Sequence, residues 1–293
     1  WKKYFFIIIQ MFHLEKKGRN KNMVILKQEL RQGRSTLVLW AAIIAFMLGI
    51  CILIYPEMET QMADIGGMFS EMGSFSAAFG MDKINFGEFT GFFCVECGNV
   101  LGLGGSFFAA LLGISSLAKE ERDKTAEFLL THPVNREKIV TQKLCAIFLQ
   151  IILLNIVVIA VTTVSSSVIG ETLKFKTAVL IFLAYFIMQI ETASICFGIS
   201  AFLSRAGMGI GLGIAAMFYF LNIIANLTEG AKFLKYLTPF GYTEGADIVA
   251  NGSINSGYLA VGIIFTVAGI IAAFVKYTPL YNFFEKRITH RIL

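Results

Sequence analysis

The sequence predicts an all-α integral membrane protein with six transmembrane helices, both termini cytoplasmic, and an amphipathic surface helix before the first span. Three observations carry that reading: composition, the spacing of apolar runs, and the placement of lysine and arginine. Of 293 residues, 56% are apolar and only 15% are charged, against roughly 25% charged in an ordinary soluble domain. A soluble core could absorb part of that surplus, but not in unbroken runs. A helix needs about 20 mostly apolar residues to cross a hydrocarbon layer of about 30 Å. Six windows supply or nearly supply them: Ser35–Tyr55, Gly98–Ala118, Leu144–Val164, Thr177–Leu203, Ile210–Leu227 and Tyr258–Val275. The last two are short, and Gly, Ser and Tyr at their ends extend them.

Basic residues set the orientation, because Lys and Arg collect on the cytoplasmic side. With the N-terminus inside, the inner segments hold 20 of the 25 Lys and Arg residues. The outer segments hold the rest: Lys83, Lys174, Lys176, Lys232 and Lys235. Both termini and the connection 119–143 are therefore expected inside. Anchoring at an anionic inner leaflet accounts for the net charge of +5, and nothing in the sequence suggests nucleic-acid chemistry.

Residues 1–22 stand apart. Tyr4–Leu14 is apolar but too short to span, and no small-residue cleavage site follows it. Lys17-Gly18-Arg19 can be encoded AAA-GGA-AGG, a ribosome-binding sequence nine nucleotides before the codon for Met23. The segment is therefore read as an over-translated or disordered leader, with Met23 the first residue; a surface-lying helix is the other reading. From there Met23, Leu26 and Leu30 recur at helical spacing opposite Lys27, Arg31 and Arg34. This predicts an interfacial amphipathic helix over 23–34, ahead of a membrane domain over 35–293. The outer segments 56–94 and 228–257 mix acidic, Gly and aromatic residues. They are expected to form short helices packed on the outer surface.

Small residues mark helix seams, since they let backbones approach inside the bilayer. Gly98/Gly102 and Gly105/Ala109/Gly113 lie along the second span, and Gly209/Gly213/Ala216 along the fifth. Each seam serves packing within one chain or between two. Cys51, Cys145 and Cys196 fall inside spans as small apolar filler. Cys94 and Cys97 form a lone CxxC, which fits disulfide geometry poorly at i, i+3 on a helix and has no second ligand pair for a metal.

The connection 118–143, AKEERDKTAEFLLTHPVNREKIVTQK, is far longer than a link between two spans requires. Lys119–Thr131 is composed of good helix formers, His132-Pro133 ends it, and Asn135 suits an N-cap for a helix running from Arg136 into the third span. Phe128, Leu129 and Leu130 give this knuckle an apolar tip inside a charged rim, a shape suited to a groove on a soluble partner. The pattern closely resembles the cytoplasmic loop of ABC transporter permeases of type 2, matching at Glu120, Glu121, Thr125, Glu127, Leu129, Leu130, Pro133, Val134, Asn135, Arg136, Ile139 and Lys143. YLTPFGY at Tyr236–Tyr242 resembles the Leu-Ser/Thr-Pro-Phe stretch before the last span of that family. FEKR at Phe284–Arg287 resembles its charged exit, although Ile288 stands where Asp is usual.

The resemblance implies a coupling helix that seats in a cleft of a cytoplasmic ABC ATPase. Two ATPase copies would serve two permease chains, identical or not, in a bacterial cytoplasmic membrane, mostly for export. Phe128 and Leu129 would anchor the docking, with Glu121, Glu127 and Arg136 at its rim. The chain has no G-x-x-x-x-G-K-[ST] phosphate loop, so ATP and its magnesium would be handled by the partner. The chain itself is expected to bind no cofactor or metal and to hold no catalytic residue. The alternatives are a membrane sensor or scaffold coupled to an ATPase, and an intramembrane protease. The latter is disfavoured because no span contains a histidine.

Inside the bundle, Glu191 lies near the middle of the fourth span, with Gln189 close by and Asn155 at similar depth in the third. A carboxylate at that depth must be paired, protonated or facing water. Two readings stand: a group on the translocation path, or a protonated Glu191 bonded to Asn155 as glue between helices.

Overall fold

The computed structural model describes residues 23–71, 73–78, 84–85, 87–122, 136–203 and 207–292, and among these there is no strand. Helix α1 spans Val24–Glu71, α2 Ser74–Ala78 and α3 Phe89–Phe92. A π-helical turn, Phe93–Cys97, joins α3 to α4, Gly98–Arg122. Then come α5 (Arg136–Ile169), α6 (Phe175–Ser200) and α7 (Met208–Leu227). Two 3₁₀ turns, Glu229–Tyr236 and Pro239–Tyr242, lead to α8 (Gly245–Asn251) and α9 (Ser256–Ile292). Six helical stretches are long and apolar enough to cross a membrane, and they contain the predicted windows but for the last residues of the fourth. Large apolar side chains such as Phe46 on α1, Val164 on α5 and Ile264 on α9 point outward. In water these would form aggregation-prone patches; in lipid they meet a matching solvent.

Close approaches fix the relative direction of the helices. Leu26 meets Gln142, Glu29 meets Lys143, Gly33 faces Gln150 and Gly49 faces Val161 and Ser165. Residue numbers rise together, so α1 and α5 run parallel. The same holds for α4 and α6, where Gly98 and Gly102 face Tyr185, Gly105 faces Gln189 and Gly113 faces Ala193 and Phe197. It holds again for α6 and α9, where Glu191 meets Gly262 and Gly198 meets Gly269. Odd spans share one direction and even spans share one, as a chain crossing back and forth requires.

The α4 seam behaves as the glycines predict. A Cβ at Gly113 would stand inside van der Waals distance of the Ala193 carbonyl and 3.0 Å from the Phe197 amide. The predicted fifth-span seam does not pack against the described residues: Gly209 and Gly213 have none of their atoms within 4 Å, while Gly211 lies against Ala110 and Ile114. Residues two apart on a helix face opposite ways, so the stripe legible in the sequence is the one turned away from α4.

Other expectations also change. The 23–34 segment is not a separate helix, because α1 continues without a break from Val24 through Glu71, past Pro56. Gly33 and Ser35 interrupt nothing, since neither a proline nor a helix stop separates the amphipathic turns from the apolar run. At 1.5 Å per residue, this 48-residue helix is about 72 Å long. The 84–92 segment is tied back to it by Tyr55, whose hydroxyl donates to the Gly87 carbonyl at 2.9 Å and whose ring meets Phe89 edge-on. Cys196 is core filler and Cys51 is half-buried, but Cys145 is exposed on α5.

Candidate functional site

The predicted loop residues divide at the edge of what is described. Glu120 and Glu121 fall in the last turns of α4 and Arg136 opens α5. Thr125, Glu127, Phe128, Leu129, Leu130, Pro133 and Asn135 lie outside the described residues. The base of the loop, however, is well defined. Lys143 is only 1% exposed. Its Nζ donates to Glu29 Oε1 at 2.7 Å and to the Ser116 carbonyl at 2.9 Å. One ammonium therefore gathers the start of α1, the last third of α4 and the start of α5. Beside it, the Leu26 amide donates to Gln142 Oε1 at 3.2 Å, which occupies one of the orphan donors at the start of α1.

The second cluster lies in the bundle. Asn155 Nδ2 donates to Gln189 Oε1 at 2.7 Å and to the Ile151 carbonyl at 2.9 Å. Glu191 does not join them. Its Oε2 accepts from the Tyr242 hydroxyl at 2.7 Å instead. The helical period explains the correction: Glu191 is two residues beyond Gln189, roughly 200° around α6, so it faces α9 and the 239–242 turn. Gly262 on α9 has no side chain because the Glu191 carboxylate occupies that space.

Tyr242 reaches Glu191 because its segment folds inward. Glu191 lies about 24 Å of helix beyond the first residue of α6, yet Pro239, Phe240, Gly241 and Tyr242 are all buried. The 228–257 segment forms short helices as expected, with Phe233, Tyr236 and Leu237 exposed, while its turn 238–242 is drawn inward and is re-entrant. Thr238 starts the turn: its side chain accepts from the Phe240 amide and donates to the Phe218 carbonyl at 2.8 Å. Phe240 packs edge-on against Tyr219 and over Gly102. Gly241 is required where the backbone of Lys235 presses on it. Above the turn, Lys235 pairs with Glu244 at 2.5 Å and lies 3.6 Å from Asp247, while Asn226 Nδ2 donates to Glu244 at 2.6 Å.

This interior keeps unspent hydrogen-bonding capacity. Asn155 Oδ1, Gln189 Nε2, Thr192 Oγ1 and Ser106 Oγ are buried without a protein partner among the described residues. The same is true of Asn222 Oδ1 and Asn226 Oδ1, which line a cavity of about 50 Å³ with Asn99, Tyr219 and Glu244. That space suffices for ordered water. Sequence reasoning named Asn155, Gln189 and Glu191 but missed Tyr242 as the partner of Glu191 and Lys143 as the group that joins three helices at the base of the loop. Both residues sit inside quoted motifs, so their positions were visible and their partners were not.

Parallel spans around a hydrogen-bonded interior, with a re-entrant turn at one end and a loop held at its base at the other, define an all-α multi-pass membrane protein. The chain belongs to the ABC-2 transporter family: a family model described as ABC-2 family transporter protein matches residues 23–279. No curated protein matches it. Its membrane domain is that of an ABC transporter permease, a transport component and not itself a catalyst.

Proposed function

We propose that this permease subunit exports a substrate across a bacterial cytoplasmic membrane, driven by a separate ATPase that docks on residues 119–143. The observation that carries the proposal is the convergence at Lys143. The start of α1, the loop-proximal part of α4 and the start of α5 meet there, so the loop and the basic first turns of α1 share one end of the bundle. The charge bias makes that end cytoplasmic. Phe128 and Leu129 supply the apolar anchor of the docking surface and Glu121, Glu127 and Arg136 its rim, following the family pattern. ATP and magnesium belong to the ATPase. A second permease chain completes the transporter.

The test is purification of the tagged chain from its native cell in mild detergent, with mass spectrometry of retained proteins. A stoichiometric soluble ATPase carrying a phosphate loop, lost on Phe128→Asp, is the expected result. A preparation free of any ATPase, both with ADP and with ATP, would overturn the docking. An ATPase that is retained and turns over without transport in vesicles would instead favour a sensor.

A further inference from the structure

We propose that the Glu29–Lys143 pair is a positioning element that joins the first turns of α1 to the base of the loop, so that a force delivered to residues 123–135 moves α1 and α5 as one body. The inference rests on the docking reading above. It assigns a mechanical role to two residues other than those that anchor and rim the docking surface.

The geometry is specific. Lys143 is among the most completely buried side chains in the protein, and Glu29 is its anionic partner at 2.7 Å, with its own side chain 21% exposed. A buried ammonium keeps its charge only where a carboxylate and further acceptors replace its water. Here the carboxylate comes from α1 and a carbonyl from α4, at Ser116. One is the helix that precedes α5 in the chain, and the other is remote from it in sequence. Displacing either helix without the other would pull the ammonium away from its Glu29 carboxylate. The two helices are therefore costly to separate at this level.

Three further approaches make the link a rod and not a point. Leu26 is bonded to Gln142 on one side of the pair, while Gly33 meets Gln150 and Gly49 meets Val161 on the other. These lie along one parallel interface at a nearly constant offset in sequence. Apolar packing continues it, with Ile44, Leu48 and Ile52 of α1 and Ile147, Ile151 and Val158 of α5 sharing the buried core. Lys27 and Arg31 remain exposed on the opposite face of α1, so the pair does not consume the basic surface.

The experiment is hydrogen exchange read by mass spectrometry on the permease purified with its ATPase, nucleotide-free and with ATP plus vanadate. Peptides from 119–143 report the loop, and peptides from 24–34 report the start of α1. In the unmodified complex both sets are expected to change by at least threefold on adding nucleotide. The double variant Glu29→Gln/Lys143→Met removes the two charges of the pair together, which costs far less than removing one of them. In it the loop peptides should still respond and the 24–34 peptides should not. The single variant Glu29→Gln, which keeps an acceptor for the ammonium, should respond at an intermediate level.

A response at 24–34 that persists in the double variant overturns the inference, as does its absence from the unmodified complex while the loop responds. Failure of the loop itself to respond, or absence of any ATPase, overturns the docking reading and this inference with it. The two failures are thus distinguishable.

Discussion

The loop end of the bundle and its interior each bury an ionisable side chain, and they compensate it in different ways. At the loop end, Lys143 is met by an opposite charge, Glu29, and by a backbone carbonyl. In the bundle, Glu191 accepts from the neutral phenol of Tyr242. The first arrangement suits a fixed joint, because an ammonium cannot leave its carboxylate without a large penalty. The second suits a contact that can open, because a carboxylate leaving a phenol can take up a proton or water. The same contrast appears in the partners: Lys143 binds regular helices, whereas Glu191 binds a 3₁₀ turn between helices.

Breaking each contact measures that difference. Glu29→Leu should cost most, about 3–5 kcal/mol, because it leaves a buried ammonium without its carboxylate. Denaturant titration in micelles would read it, and adding Lys143→Met should recover most of the loss. No recovery would mean that Lys143 is held by other groups and that the two sites are less different than the geometry implies. Gly113→Ala lies on the α4–α6 seam between the two sites. Overpacking there should cost about 1–3 kcal/mol, and it should loosen both sites at once, seen as faster exchange at 24–34 and at 236–242. Tyr242→Phe should fall toward the lower end of the about 1–3 kcal/mol expected for an unsatisfied buried acceptor, since Glu191 can be relieved by a proton. Exchange should rise in 236–242 alone. A cost matching that of Glu29→Leu would show that the re-entrant turn is as fixed as the clamp.

The limits of sequence reading follow from the same physics. Six spans were legible because a run of about 20 apolar residues has few other uses. The α4 seam was legible because glycine spacing maps directly onto a helix face. The candidate interior polar residues were legible because polarity inside a span is conspicuous. Their partners were not. Pairing Glu191 with Asn155 required only similar depth, whereas the true choice depended on azimuth around α6 and on a turn arriving from outside the span. The re-entrant path of Thr238–Tyr242 has no local signature, because a Thr-Pro-Phe-Gly-Tyr turn reads the same on a surface or in a cleft. The separate helix over 23–34 failed for a related reason. Amphipathic periodicity marks a face but not a boundary, and no helix stop stands between Arg34 and the apolar run.

The glycine stripe on α7 offers the smallest expected effect and a sharp control. Gly209 and Gly213 have open space around them among the described residues, in contrast with Gly113, which faces the Ala193 and Phe197 backbone and the Cys196 Cβ. For the isolated chain, Gly213→Ala should therefore change stability by no more than about 1 kcal/mol, in the stabilising direction, through helix propensity alone. Paired measurements of Gly113→Ala and Gly213→Ala in monomeric detergent preparations should differ clearly. Repeating them under conditions that preserve oligomers adds the decisive step. If Gly213→Ala then weakens self-association while leaving the monomer intact, the open face is the seat of a second chain, because a methyl group on a lipid-facing stripe has nothing to displace. If it remains neutral in both preparations, the α7 stripe faces lipid and seats no second chain.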